Sequence, residues 1–490
     1  MSLPLDPLLD RITPLLAQAG RPVHLVGGVV RDALLGRPNH DIDLIVPGDA
    51  IGLTKKLAEQ LAQPWFPMDE GRDVGRIFVG ETGMTVDISR YRGETLADDL
   101  RGRDFTINAL ALPLGAVTAA EVIDHHGGRD DLANRVLRVI HAGSIADDPV
   151  RALRAARFTV QLGFELTGNT LADVRAAAGL FPDRTSPERI RDELSRLLLL
   201  NEPQKAIGRL DNWGLLDRVL PEVAALRGLE QSPPHHEAVL PHTLSVLRYL
   251  AQVEQLVDGR GAEAAWAAAA AAVLEPHCAK LSEHLEEGLV GGFSGRLLLR
   301  WSALFHDTGK ATTRTVDETG RVRFLGHDDA GAILAGVKLN RLKFSSDAVR
   351  RVRDTVAGHM RPLHLANEDH VPSRRSLYRY YRALDAAGVD VALLSLADHL
   401  ATHEGPGENG SWEKLLAVVG ILLETYYNER EQTVKPARLL DGQAIMKLLD
   451  IGPGRELGQL IAQLEEAQAA GEVSTRDQAA AFLINQQARP

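Results

Sequence analysis

The chain has 490 residues, 44% of them hydrophobic and 25% charged, with 55 basic against 66 acidic side chains and a net charge of -11. That composition fits a folded protein of about three domains at roughly 150 residues each, and it excludes a disordered or fibrous chain and one that coats nucleic acid without specificity. The single cysteine, Cys278, cannot form an internal disulfide, and the longest apolar run, Ala264 to Leu274, is far short of the roughly 20 residues of a membrane span. A reducing, cytoplasmic compartment and no membrane partner are therefore expected.

In chain order, PVHLV (22–26) reads as a strand, VVRDALLG (29–36) as a short helix after a Gly-Gly turn, and DIDLIV (41–46) as a second strand. RIFVG (76–80) and MTVDISR (84–90) continue the strand character. After about residue 135 Leu, Ala and Arg recur at helical spacing. The expected architecture is a small mixed α/β head (1–135) on a mostly helical body. Pro- and Gly-rich breaks at 228–241 and 405–410 divide that body into units 136–227, 228–404 and 411–490. An Ala- and Gly-biased insert occupies 258–296, and no solenoid period is visible. From Lys310 to Arg382 fifteen Lys and Arg face eight Asp and Glu, so this segment forms either a local basic surface or ordinary solvated helix faces.

The densest chemistry lies in Gly27-Gly28-Val29-Val30-Arg31-Asp32 and Asp41-Ile42-Asp43. On a strand, residues two apart point to one side, so Asp41 and Asp43 offer two carboxylates to one point while Ile42 faces the core. One or two carboxylates suffice for Mg²⁺ that also bridges substrate phosphates. Gly27 and Gly28 let backbone N–H groups approach a triphosphate, and Asp87 in TVDIS is the candidate third carboxylate.

With this spacing the sequence resembles the nucleotidyltransferase superfamily, and within it the bacterial tRNA nucleotidyltransferases and their poly(A) polymerase relatives. Arg103-Asp104-Phe105-Thr106-Ile107-Asn108-Ala109-Leu110 is similar to the family's ribose- and phosphate-recognition motif, with Gly102 where a first Arg often stands. Asp124-His125-His126-Gly127-Gly128, Asp147-Asp148-Pro149-Val150-Arg151 and Ser186-Pro187-Glu188-Arg189-Ile190 resemble the three motifs that follow. The resemblance implies a nucleotidyltransferase-type head sheet and Mg²⁺-dependent transfer to tRNA from CTP, with ATP as the further candidate substrate. It also implies nucleotide binding by Gly27, Gly28, Arg31, Arg103, Asp104, Asn108, Asp148, Arg151, Arg154 and Arg157, and RNA binding by the neck and the C-terminal tail.

Base choice has its own hydrogen-bond argument. Asp148 and Arg151, three apart, share a face if both are helical. An Asp accepting an exocyclic amine beside an Arg serving a ring nitrogen admits cytosine and adenine and leaves uracil and guanine with unpaired groups. Without the surrounding motifs the pair would be read as an exposed ion pair. Between Arg90 and Asp104 stands only YRGETLADDLRGR, where full CCA-adding members carry a longer loop, and this shortness resembles the CC-adding subgroup. Addition of two C residues is therefore favoured over complete CCA addition and poly(A) synthesis, with a non-enzymatic RNA-binding protein as the remaining alternative. Oligomeric state stays open.

In the body, His242, His306-Asp307 and Asp398 follow the order of the HD-domain phosphohydrolases, which they resemble. Imidazole and carboxylate suit a divalent transition metal or Mg²⁺. His327 and His359 are candidates for a second metal position, and the likeness implies phosphatase or phosphodiesterase chemistry. Seventeen histidines also make chance clusters expected.

Overall fold

A computed structural model describes every residue except Met1, Ser2, His40, Ala262, Glu263, Val290, Asp369 and 488–490. The chain divides into two compact units, 1–186 and 187–490.

The first unit is built on a seven-stranded sheet in the order β3-β4-β5-β2-β1-β6-β7. Its elements run α1 (Leu8–Ala17), β1 (His24–Val26), α2 (Gly28–Leu34), β2 (Asp41–Val46), α3 (Ala50–Leu61), β3 (Trp65–Asp69), β4 (Val74–Val79), β5 (Met84–Arg90), α4 (Leu96–Arg101), β6 (Leu110–Pro113), β7 (Ile123–Asp124), α5 (Gly128–Ala133), α6 (Ser144–Asp147) and α7 (Val150–Leu162). β2 and β5 pair in parallel, joined by a crossover that includes α3, and the other pairs are antiparallel. The head strands expected from the sequence are present. Sequence reading did not mark β3, β6 or β7, which are short, and β3 is exposed along most of its length, so alternation is weak there.

Alternation puts Ile42, Leu44, Ile77, Val86 and Ile88 in the core, and α3 packs on β3, β4 and β5. Part of the other face is closed by Val26, Ile45, Tyr91, Leu100, Ala109 and Ala111. A capping box of Thr95 and Asp98 starts α4, and this short helix stands where the sequence has its shortened connection.

The segment expected as a neck, 136–227, is divided between the two units. The physical tie is Arg151 on α7, which donates to the carbonyls of Gly102 at 2.8 Å and Arg103 at 3.0 Å and so fastens α7 to the head.

Among the described residues the second unit is built of helices and two small two-stranded pairs. Long apolar helices at Val239–Val257, Gly295–Phe305 and Ala387–His403 form its centre. Three residues of the Ala-biased insert, Ala262, Glu263 and Val290, lie outside the described residues. The rest forms helices Ala267–Leu274 and Cys278–Glu286, and Trp266 packs edge-on against Tyr249 and Trp412. Much of the basic excess between 310 and 382 is spent on acids elsewhere in the chain: Arg351 pairs with Asp390, Arg379 with Glu466, and Arg375 with Glu472. The helices Gly442–Leu449, Arg455–Ala469 and Arg476–Gln487 make a cluster around Leu460, Leu464, Ala479 and Leu483. No helix among the described residues is long and apolar enough to cross a membrane.

Candidate active site and metal centre

Asp41 is exposed at the start of β2, Ile42 is buried, and Asp43 is half-buried on the same side as Asp41. The parallel register sets Asp43 opposite Asp87 on β5, so three carboxylates share one face. Arg76 on β4 donates from Nε and Nη2 to the two oxygens of Asp87, each at 2.6 Å, and Thr85 donates its hydroxyl to Asp41 at 2.6 Å. The Asp43 carboxyl is pushed up to about 6, first by burial and then by Asp87 and Asp41, against the opposing pull of Arg103 and Arg76. Three carboxylates on one face, with Asp43 made costly to ionise by burial and its neighbours, are a donor set a divalent cation would relieve, so the residues fit Mg²⁺.

Gly27 holds φ at +71°, and a Cβ there would stand 3.0 Å from Arg103 Nη1 and 3.7 Å from Asp43 Oδ2. Glycine thus brings backbone, Arg103 and Asp43 to one point. Arg103 is aimed by Asp99 of α4, to which its Nε donates at 3.0 Å and with which its Nη2 forms an ion pair at 2.9 Å. Gly28 has no such crowding; a Cβ there would meet Arg31 Nη2 only at 3.7 Å.

Other residues expected at the nucleotide form an interior network. Arg31 is 5% exposed, bonds both oxygens of Asp32 at 2.8 Å and donates to Asn108 Oδ1 at 2.7 Å. Asn108 donates to Asp104 at 3.0 Å, and Asp104 pairs with Arg154 at 3.0 Å. Burial alone would raise the Asp104 carboxyl, but Arg154, Asn108 and the Phe105 amide hold it below its ordinary value. Arg157 lies over the Phe158 ring at 4.4 Å and donates to Gln161 at 3.2 Å.

Asp148 and Arg151 do not share a helix face. Asp148 is extended (φ -144°, ψ 92°) and α7 begins at Val150. The cause is Pro149, which disfavours helical backbone in the residue before it. Asp148 Oδ2 still lies 3.8 Å from Arg151 Nε, while Nη1 and Nη2 of Arg151 are engaged by Ser144, Arg103 and Gly102.

In the second unit the HD residues converge. His242 (Val239–Val257), His306 and Asp398 (Ala387–His403) offer ligand atoms within 4.8 Å of one another, as do Asp307, His327 and His359. His242 Nε2 lies 3.0 Å from Asp398, and His306 Nε2 lies 3.3 Å from Asp307. The Nδ1 atoms of His306, His327 and His359 donate to the carbonyls of Ala303, Phe324 and Val356 at 2.8, 2.8 and 2.7 Å. A carbonyl only accepts, so each ring keeps its proton on Nδ1 and in its neutral form turns an Nε2 lone pair inward, as metal-binding histidines do. His306 Nε2 is buried without a hydrogen-bond partner. Burial would lower the His306 pKa, but Asp307 and Asp398 hold it above its usual value. His359 falls to about 4 through burial and its neighbours His306 and His327. The six residues fit two divalent cations, with Asp307 between the groups.

Sequence reasoning missed Arg76, Thr85, Asp99 and, in the second unit, Lys310 and His235. Lys310 donates to Asp307 at 2.7 Å and to Gln231 at 2.8 Å. His235 lies edge-on to His242 with centroids 5.0 Å apart, and its pKa falls to about 3 through burial and the charges of Lys310 and His242. Lys310 could have been found from LFHDTGK and Asp99 from its spacing of four to Arg103; the others depend on strand register or loop path.

Three family models match: the poly A polymerase head domain at residues 23–96 and 89–138, the probable RNA and SrmB-binding site of polymerase A at 163–226, and the HD domain at 276–402. An A-adding tRNA nucleotidyltransferase of Deinococcus radiodurans is 35% identical over 94% of this chain and 94% of its own length. A CC-adding tRNA nucleotidyltransferase of Thermus thermophilus is 33% identical, covering 94% and 92%. A CCA-adding enzyme solved in an apo form shares the fold, with a TM-score of 0.59 at 20% identity over 98% of this chain and 95% of that one. Likeness along nearly the whole length, on a sheet whose register gathers three carboxylates beside Gly27 and Arg103, makes this chain an enzyme that belongs to the tRNA nucleotidyltransferase family.

Proposed function

We propose that the chain adds CMP to the 3′ end of tRNA without a nucleic-acid template, in the cytoplasm, where tRNA is handled. The observation that carries this is the convergence of Asp41, Asp43 and Asp87 beside Gly27 and Arg103. Asp41 and Asp43 would hold Mg²⁺, which when bound lowers the pKa of the attacking hydroxyl and neutralises charge on the reacting phosphate. Gly27 leaves room for the triphosphate, and Arg103, held by Asp99, balances the charge that pyrophosphate carries away. Asp148 accepts from the amine of cytosine, and Arg151, anchored to Gly102 and Arg103, supports that edge of the pocket.

Two C residues are the preferred product because Thr95-capped α4 and its flanks fill the whole connection from Tyr91 to Arg103. Addition of A is the second reading, favoured by the Deinococcus relative. Run-off extension of tRNA lacking its CCA, with CTP alone, ATP alone and both, resolves single nucleotides. Two additions from CTP and none from ATP are expected, whereas A addition with no use of CTP overturns the preferred product. The HD cluster is proposed as a metal-dependent phosphohydrolase site acting on nucleotide or RNA-end phosphates, supported by the inward Nε2 atoms of His306, His327 and His359.

A further inference from the structure

The sheet face that carries the carboxylates continues past them to the edge strand. Residues opposed in a β-ladder point to the same side. The register therefore lines up Asp43, Asp87, Arg76 and Phe66 across β2, β5, β4 and β3, and Asp41, Thr85 and Phe78 in the adjacent row. Phe66 is 50% exposed and Phe78 46%, while their neighbours on the opposite face, Ile77 and Val79, are buried. Neither ring serves the core. At about 4.8 Å per strand, Phe78 lies about 10 Å and Phe66 about 14 Å from β2.

The two sides of the carboxylates differ in chemistry. Toward β1 lie Gly27 and Arg103, suited to phosphate; toward β3 lie two solvent-facing aromatic rings with Arg76 between them, its guanidinium committed to Asp87. An in-line displacement puts entering and leaving oxygens on opposite sides of the phosphorus. A triphosphate seated against Gly27 and Arg103 releases pyrophosphate on that side, so the hydroxyl of the growing strand arrives over β5 and β4. We propose that Phe66 and Phe78 are a stacking platform for the last unpaired bases of the RNA acceptor end, placing its 3′ hydroxyl over Asp41 and Asp43. This assignment rests on the transferase reading above. Unstacked RNA bases dock on such rings regardless of sequence, which suits an end whose identity changes as it grows. A second copy of the chain is a poorer occupant: β3 has five residues, Pro67 within it, and a register break between Pro67 and Asp69, all of which blunt edge-to-edge pairing.

The test uses full-length protein and tRNA lacking its CCA, with 2-aminopurine as the last base. Binding to the unaltered enzyme should quench the fluorophore. Phe66→Ala with Phe78→Ala should abolish the quench and raise the KM for tRNA about tenfold per ring, with the KM for CTP and the thermal midpoint unchanged; Phe66→Tyr with Phe78→Tyr should restore both readouts. An active unaltered enzyme whose alanine variant quenches and binds tRNA normally overturns the platform and leaves the transferase reading standing. Absence of any nucleotide incorporation by the unaltered enzyme overturns both. A dimer that the alanine pair dissociates, with tRNA binding unchanged, assigns the rings to a second copy and overturns the proposal.

Discussion

Asp43 shows how one side chain joins stability to activity. Its carboxyl titrates near 6 in the fold against an ordinary value of 3.8. Between those values the unfolded chain has released its proton while the folded chain retains it, so the contribution of this group without metal is full below about pH 4 and is lost as pH rises through 6. Discounted for partial exposure, the loss is about 2 kcal/mol. Asp43→Asn should therefore raise the thermal midpoint of the metal-free protein at pH 7.5 while reducing CMP incorporation to background; an unchanged midpoint would mean the acids are not crowded. Added Mg²⁺ should stabilise the unaltered protein more at pH 7.5 than at pH 5, measured by thermal shift. In the second unit, His306→Ala should lower the metal content of the purified protein and leave CMP incorporation intact, because His306 belongs to the HD cluster and not to the carboxylate site. The paired acids on β2 were legible in the sequence, since a period of two is enough to put them on one side. Arg76 was not, because only the antiparallel register of β4 with β5 sets it opposite Asp87.

Short elements aim the long side chains. Arg103 reaches the Gly27 turn beside Asp43 because α4 presents Asp99, and α4 is started by the reciprocal bonds of Thr95 and Asp98. Thr95→Ala should cost about 1 kcal/mol in urea unfolding and raise the KM for CTP, with kcat less affected. In the HD cluster Gly309 is fixed by packing: a Cβ would stand 2.0 Å from the His327 carbonyl oxygen and 2.6 Å from the Gly331 amide nitrogen. Gly309→Ala should displace the helix His327–Arg341 and lower metal content as His306→Ala does, read by metal analysis of the purified variant. Pro149 gives the opposite lesson. The spacing of Asp148 and Arg151 suggested one helical face, yet proline holds Asp148 extended and leaves only Arg151 on α7. A count of three residues was legible; the backbone state between them was decided by one ring.

At the scale of the molecule, the division at Ser186 sets the carboxylate site in one unit and both histidine groups in the other. A chain of residues 187–490 should retain the divalent metal of the histidine groups, and metal analysis showing none would mean the cluster needs the first unit. The net charge of -11 excluded an evenly basic surface, and the structure accounts for the local excess between 310 and 382 through pairs such as Arg351 with Asp390 and Arg379 with Glu466. By itself the sequence determined the mixed head, the helical body and the paired carboxylates, and by its resemblance to HD domains it named the candidate metal ligands, because strand alternation, helical spacing and short motifs are local properties of the chain. Only the tertiary structure decided that Asp87 faces Asp43, that Arg31 and Asn108 are interior, that Asp307 stands between two histidine groups, and that Phe66 and Phe78 share the carboxylate face. Each of these depends on register or packing between segments far apart in the chain, which no local pattern encodes.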